Sequence, residues 1–260
     1  MKKTLIAILS ILMILAFTGC APKKDRLTKI KETGVITIAT EATWEPWTYY
    51  DANGNLTGFD VEVGRLIAEK LGVKAVFMET QWDAILAGVK SGRFDMACSG
   101  VSYTEERAKS YYFSEPHVYT DVVLIVRNDE TRINSFEDLK GYKTANSVGS
   151  TYAGLGEKYG ATVENVDTLD QTIELLIAGR VDATINSLDS YNSYIEARPD
   201  APIKVVETAP GDGVAFPFML DETSITLRDA VNKALEELRA EGKLAELSIK
   251  FFGTDNTVAR

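Results

Sequence analysis

Arg107 carries the most specific chemistry on offer in this sequence. A guanidinium is a planar fork of N–H donors that can meet a carboxylate with two parallel hydrogen bonds. Its context, Thr104-Glu105-Glu106-Arg107, reads as a cap and a first helical turn, so a solvated arginine paired with its own glutamates fits the position equally well. Ser147, Gly149, Ser150 and Thr151 form a turn that opens a second helical pattern, where free backbone amides favour an anion. A serine or threonine there is also an ordinary cap. For a positive group the sequence offers Glu41, which reads equally well as a surface carboxylate, and Asn186, Ser187 and Asp189. A desolvated ammonium needs such acceptors. Trp44 and Trp82 suit the apolar walls of a cleft, whereas Trp47 suits a core. These groups together could hold a small zwitterion.

The elements that must position them alternate between two periodicities. Stretches of period two and period 3.6 follow one another from Val35 to Phe252, the pattern of a parallel-rich α/β architecture. The spacing predicts a strand at Val35 to Ala39 and a hairpin turned at Asn53-Gly54. Asp60 is expected to cap a helix that runs to Lys70, with Gly72 just beyond it. Then come strand Lys74 to Met78, helix Trp82 to Lys90, strand Asp95 to Ser99, and a β-branched strand from Asp121 to Arg127. A second set follows: strands Tyr142 to Ala145, Thr162 to Val166 and Val181 to Ile185, alternating with helices Thr151 to Tyr159, Leu169 to Ala178 and Leu188 to Ala197. The two sets echo each other in residues. Ser91-Gly92-Arg93-Phe94-Asp95 through Gly100 matches Ala178-Gly179-Arg180-Val181-Asp182 through Ser187.

A strand at Val214 to Met219, an amphipathic helix Ser224 to Ala240 and a last helix ending near Phe252 return the chain to the first lobe. It therefore crosses twice, near Asp121 to Arg127 and Gly213 to Pro217, which makes a hinge. In open parallel sheets ligands sit beyond the carboxyl ends of the strands. That rule collects Glu41, Trp44, Trp82, Ser99, Gly100, Ser102 and Arg107 from one lobe, and Ser147, Ser150, Thr151, Asn186, Ser187 and Asp189 from the other.

Charge and cysteine content narrow the classes. Lys2 and Lys3 precede an apolar run from Leu5 to Phe17 that is too short for the ~20 residues of a spanning helix, so residues 1–19 read as a signal peptide. The 38 acidic residues outnumber the 28 basic ones for a formal net charge of −10, and loss of Lys2 and Lys3 makes the chain more acidic still. Such a surface argues against nucleic acid or anionic lipid as a partner. Cys98, set in an apolar strand, reads as an inert buried thiol, and no disulfide can form once Cys20 is used. One histidine, His117, excludes multi-histidine zinc sites; it is expected at the surface or lining the site. No metal or cofactor is expected.

Thr18-Gly19-Cys20 resembles the lipobox of bacterial lipoproteins, with Phe17 in place of the usual leucine, which implies a diacylglycerol anchor on Cys20 and a tether over residues 20–26. Gly58-Phe59-Asp60-Val61-Glu62, Trp82-Asp83-Ala84-Ile85-Leu86, Gly92-Arg93-Phe94-Asp95, Thr104-Glu105-Glu106-Arg107 and Phe113-Ser114-Glu115-Pro116 together resemble the polar amino-acid-binding proteins of ABC importers, family 3 of the bacterial extracellular solute-binding proteins. The likeness covers nearly the whole chain after the leader.

It implies a type II periplasmic-binding fold, with residues 27–121 and 218–260 in one lobe and 122–217 in the other. The partners it implies are one amino-acid ligand and an ABC permease and ATPase, for a monomer outside the cytoplasm tethered to the membrane by its lipid. It places Arg107 and Ser102 on the ligand's carboxylate with Ser150 or Thr151 assisting. Glu41 and Trp44 stand where the family has an acid and an aromatic, and Ser99 and Gly100 where it has ammonium and backbone contacts. Ser187 departs from an aspartate common at the second-lobe strand end. Gly179 to Ser187 and Ala201 to Val206 look most like cystine-type members, which points to a sulfur-containing or uncharged polar amino acid.

Two rivals share the fold. One is an enzyme resembling cyclohexadienyl dehydratase, with Glu41 or Asp189 as general acid, separable by turnover of prephenate or arogenate. The other is a ligand-sensing protein, separable by whether permease and ATPase genes lie nearby.

Overall fold

The computed structural model describes residues 24–258, so the leader, Cys20 and most of the tether lie outside the described residues. Asp25 and Arg26, assigned by sequence to the tether, instead start a helix, α1 (Arg26–Thr33). The Asp25 carboxylate accepts the Thr28 amide at 3.0 Å, and Gly34 closes the helix with a left-handed φ of 70°. A short amphipathic turn rich in lysine gave this helix no clear signal; Ile30 is its buried anchor.

The first lobe then builds β1 (Val35–Thr40), the hairpin β2 (Tyr49–Tyr50) and β3 (Leu56–Thr57), α2 (Phe59–Lys70), β4 (Lys74–Glu79), α3 (Trp82–Lys90) and β5 (Met96–Ala97). Its sheet is parallel in the order β4-β1-β5. Asp60 does not cap α2. The N-cap is Gly58, whose backbone lies so close to Trp47 that an added Cβ would sit 2.3 Å from the Trp47 carbonyl oxygen. Asp60 is turned inward and buried.

After α4 (Glu105–Ala108) and β6 (Tyr111–Phe113), β7 (Val118–Arg127) leads into the second lobe: β8 (Lys143–Asn146), α5 (Thr151–Lys158), β9 (Thr162–Asn165), α6 (Leu169–Ile177), β10 (Ala183–Ser187), α7 (Leu188–Ala197) and β11 (Ile203–Val214). The sheet order is β11-β7-β10-β8-β9. The parallel-rich expectation needs correction here, because β7 runs antiparallel to both β10 and β11. The strand β11, the longest among the described residues, was not anticipated. Its sequence breaks the alternating pattern with Pro210, Gly211 and Gly213, and the register shifts between Val205 and Glu207 and between Pro210 and Gly213 absorb the breaks. Outgoing β7 and returning β11 run side by side, which makes antiparallel pairing the short solution.

β12 (Pro217–Met219) pairs with β6, and α8 (Ile225–Ala240) and α9 (Lys243–Phe252) close the first lobe. Leu227, Val231, Leu235, Leu238 and Leu244 join Ile36, Ile38, Phe59 and Ile67 in one core. Each such side chain contributes roughly 1.5–3 kcal/mol on burial. The second sheet is covered on both faces, by a cluster around Ile173 and Leu176 and by another around Leu124, Phe136 and Leu139. Among the described residues no helix is long and apolar enough to cross a membrane.

Candidate functional site

The carboxyl ends of the strands in the two lobes face one cavity. From the first lobe it is lined by Glu41, Trp44, Trp82, Gly100, Ser102 and Arg107, and from the second by Ser147, Ser150, Thr151 and Asn186, all singled out by sequence. The lobes touch directly around it. Trp44 Nε1 donates to Asn186 Oδ1 and Trp47 Nε1 to Ser187 Oγ, each at 3.3 Å, and Arg107 Nη2 donates to the Gly149 carbonyl at 3.2 Å. This is a closed arrangement.

Arg107 is held as a fork. Thr104 caps its short helix, Nη1 donates to the Ser102 carbonyl at 2.9 Å, and the guanidinium carbon lies 5.5 Å from the Trp82 ring centroid. The alternative of pairing with its own glutamates does not occur, since Glu106 pairs with Lys109 and among the described residues no carboxylate forms a salt bridge with Arg107. Burial pushes the guanidinium pKa down, opposed by Tyr152, Asp212 and Tyr111. A desolvated cation without a carboxylate partner is ready for an anionic ligand.

Acidic groups stand elsewhere on the wall. Glu41 is pushed up to about 7, chiefly by burial; a hydrogen bond from Thr43 pulls the other way, and the charge of Asp167 adds to the rise. Asp167, contributed by the second lobe just before the Thr168 cap of α6, also takes a 3.5 Å contact from Gln81 Nε2. Two carboxylates and one guanidinium thus line the cavity. Trp44 forms an apolar wall, stacked on Trp47 at 5.4 Å and meeting Tyr152 edge-on at 6.3 Å.

Three candidates lie outside the lining. Ser99 is wholly buried just beyond the end of β5, and its neighbour Gly100 takes the cavity side. Ser187 is buried as the N-cap of α7, accepting the Ser190 amide at 3.1 Å. Asp189 is turned toward the hinge, where it accepts from the Thr120 hydroxyl and from Asn256 Nδ2. A general-acid role for Asp189 in this cavity is therefore withdrawn. His117, expected at the surface or on the lining, is fully buried.

Five lining residues were missed: Asn146, Tyr152, Asp167, Leu169 and Thr172. Asn146 ends β8 and Asp167 follows β9, so the strand-end rule, applied to every strand, would have found both. Tyr152 and Thr172 lie in first helical turns whose orientation only the fold reveals. Cys98 is buried and its thiol pushed well up by burial, an inert core group. Among the described residues no group of three or more His, Cys, Asp or Glu could hold a metal ion.

The model of the bacterial extracellular solute-binding proteins, family 3, matches residues 36–254. The L-cystine-binding protein TcyA of Bacillus subtilis is 36% identical over 268 residues, covering 98% of this chain and 99% of its own. An ancestral arginine-binding protein bound to glutamine superposes with a TM-score of 0.79 at 34% identity, over 85% of this chain and 98% of that one. The L-cystine solute receptor of Neisseria gonorrhoeae, in its unliganded open conformation, is 38% identical over 90% of this chain and 99% of that one, yet its TM-score is 0.57. Higher identity with poorer superposition is what a hinge produces when one partner is open and the other closed. With its two α/β lobes, its paired hinge strands and a cavity at the strand ends between them, the chain belongs to family 3 of the bacterial extracellular solute-binding proteins.

Proposed function

We propose that this chain is the lipid-anchored, extracytoplasmic substrate-binding protein of an ABC importer and that it closes on an amino acid with a sulfur-containing or uncharged polar side chain, L-cystine first among them. The observation that carries the reading is Arg107: half-buried against Trp82, oriented by the Ser102 carbonyl, and without a carboxylate partner among the described residues. The ligand's α-carboxylate takes the guanidinium fork, supported by the Ser150 and Thr151 end of α5. Its ammonium takes Glu41 or Asp167, and its carbon skeleton lies between Trp44, Trp82 and Tyr152. The cystine preference draws on TcyA and the gonococcal receptor, whose described ligand is L-cystine.

Capture proceeds by a population shift. Groups from both lobes surround the ligand together only when closed, so ligand binding favours the closed form that a permease can recognise.

A melting screen of the common amino acids and L-cystine tests this directly. A true ligand at a hundred times its Kd stabilises the fold by about 2.7 kcal/mol, several degrees for a domain of this size. Arg107→Ala is expected to abolish that shift, a loss of at least ~100-fold in affinity, while the unliganded melting temperature stays within a few degrees of wild type. A large drop without ligand would make Arg107 structural, and turnover of prephenate or arogenate would move the protein to the dehydratase class.

A further inference from the structure

Asp60 and His117 are both essentially fully buried, at 1% and 0% exposure, and neither lines the cavity. Asp60 Oδ2 accepts the Gly100 amide at 2.7 Å, and its Oδ1 lies 2.8 Å from His117 Nε2. The imidazole is sandwiched between Phe59 at 5.8 Å and Phe216 at 4.1 Å, nearly parallel to both. Its Nδ1 has no hydrogen-bond partner among the described residues. With a carboxylate facing Nε2, that nitrogen is the donor.

What this carboxylate joins is more telling than its burial. Gly100 is a wall of the cavity, held at φ 59° with no room for a side chain, since a Cβ would lie 2.4 Å from Trp44. Its amide is committed to Asp60, so the position of this wall is set from behind by a buried carboxylate. The following residues are stitched to the returning hinge strand: Ala215 N donates to the Val101 carbonyl at 3.0 Å and Tyr103 N to the Gly213 carbonyl at 2.8 Å. His117 immediately precedes the outgoing strand β7, and its amide donates to the Val214 carbonyl at 3.0 Å. One carboxylate therefore ties a cavity wall to both strands on which the lobes turn.

The geometry points to Asp60 and His117 as a positioning pair that couples ligand capture at the Gly100 wall to movement of the hinge, a role that rests on this cavity being the amino-acid site. The pair acts through hydrogen bonds, so the donor at position 117 matters and the aromatic ring does not suffice.

Substitutions separate donor from ring. His117→Gln returns an N–H to the place of Nε2, whereas His117→Phe keeps the stack and removes the donor. By calorimetry with L-cystine, or with the amino acid giving the largest melting shift if L-cystine gives none, His117→Gln is expected within threefold of wild-type affinity. His117→Phe and Asp60→Asn are each expected at least tenfold weaker. The opposite order, Phe retaining affinity and Gln losing it, would reduce His117 to packing and overturn the coupling, as would an Asp60→Asn affinity within twofold of wild type.

The chain has a single histidine, so the imidazole 15N spectrum reads His117 alone. Wild type should show the Nε2–H form, and saturating ligand should shift its resonances although the ring is buried away from the cavity; no shift overturns the coupling. Without any ligand, His117→Phe should perturb the Gly100 amide signal more than His117→Gln does, and equal perturbation refutes the pair. Arg107→Ala run alongside keeps the two readings apart. Ligand affinity unaffected by that change would sink the carboxylate clamp while leaving the Gly100 signal to judge Asp60.

Discussion

In residues 91–100 Asp95 reaches across to the neighbouring strand, where its carboxylate accepts the Thr37 amide at 2.8 Å and its own amide donates to the Thr37 carbonyl at 2.9 Å. In residues 178–187 Asp182 does the same to Lys143, at 2.9 and 2.8 Å. Each clasp follows a helix closed by a glycine at positive φ, Gly92 at 75° and Gly179 at 67°. The surroundings then diverge. The first copy feeds β5, an edge strand only two residues long, while the second feeds β10, which is paired on both sides and runs for five residues. One local device thus delivers two different strand ends to the cavity: a bare backbone at Gly100 in one lobe, and the Asn186 side chain in the other, with Ser187 spent on capping α7. The repeated Gly-Arg-x-Asp sets where the strand begins, and the neighbouring elements decide what its end presents.

If the clasps are equivalent and only their settings differ, the more buried and better supported copy should cost more to remove. Asp95 also accepts from the Thr37 hydroxyl at 2.7 Å and lies 3.4 Å from Arg26, with a side chain 17% exposed; Asp182, 29% exposed, has only a 3.8 Å approach from Arg132 beyond its backbone bond. Asp95→Ala is expected to destabilise by about 3 kcal/mol and Asp182→Ala by about 1.5 kcal/mol in urea unfolding. Equal costs would show that the setting contributes nothing.

The lobes also differ in the acids they bring to the cavity, Glu41 from one and Asp167 from the other. Glu41 has its carboxyl raised from 4.5 to about 7 by burial, so the folded state holds that proton more tightly than the unfolded state. The sign follows: stability from this group is fully present below about pH 4.5 and is lost as pH rises toward 7. Glu41→Gln should flatten that part of the unliganded stability profile, a difference on the order of 2 kcal/mol between pH 4.5 and 7.5. An ammonium at Glu41 favours the ionised form, so binding near pH 6 should release a proton, seen as a dependence of the calorimetric heat on the buffer's ionisation enthalpy. Absence of that dependence would move the ammonium away from Glu41.

The same contrast explains what the sequence made legible. Helices Trp82–Lys90 and Leu188–Ala197 were bounded correctly because their periodicity ends at a breaker, Gly92 after the first and Pro199 after the second. The doubled motif announced two lobes, and the strand-end rule reached ten of the residues that line the cavity. Ser99, Ser187 and Asp189 were misplaced because the rule names a strand end without saying which alternate residue faces inward, and two of them were taken by a helix cap and a hinge contact. His117 looked like a surface or lining group because its partner, Asp60, is far away in sequence and looked like a cap. β11 was hidden by Pro210 and the glycines around it, which only a bulged hinge strand tolerates.

The finest test of the comparison lies in the two glycines. Both adopt a left-handed backbone, so alanine at either position costs about 1 kcal/mol from the strained φ alone. Their neighbours differ. A Cβ on Gly179 meets nothing closer than Arg127 Nη1 at 3.8 Å, whereas one on Gly92 would lie 2.3 Å from Arg26 Nη2. That guanidinium is the far end of a flexible side chain and can swing away, but in doing so it leaves Asp95. Gly92→Ala should therefore exceed Gly179→Ala by a few tenths of a kcal/mol, about what a partly exposed ion pair contributes. In the Asp95→Ala background, where Arg26 keeps only its 3.3 Å contact with the Met219 sulfur, the excess should shrink; an undiminished excess would mean that the first clasp depends on the packing around Gly92 rather than on the Arg26–Asp95 pair.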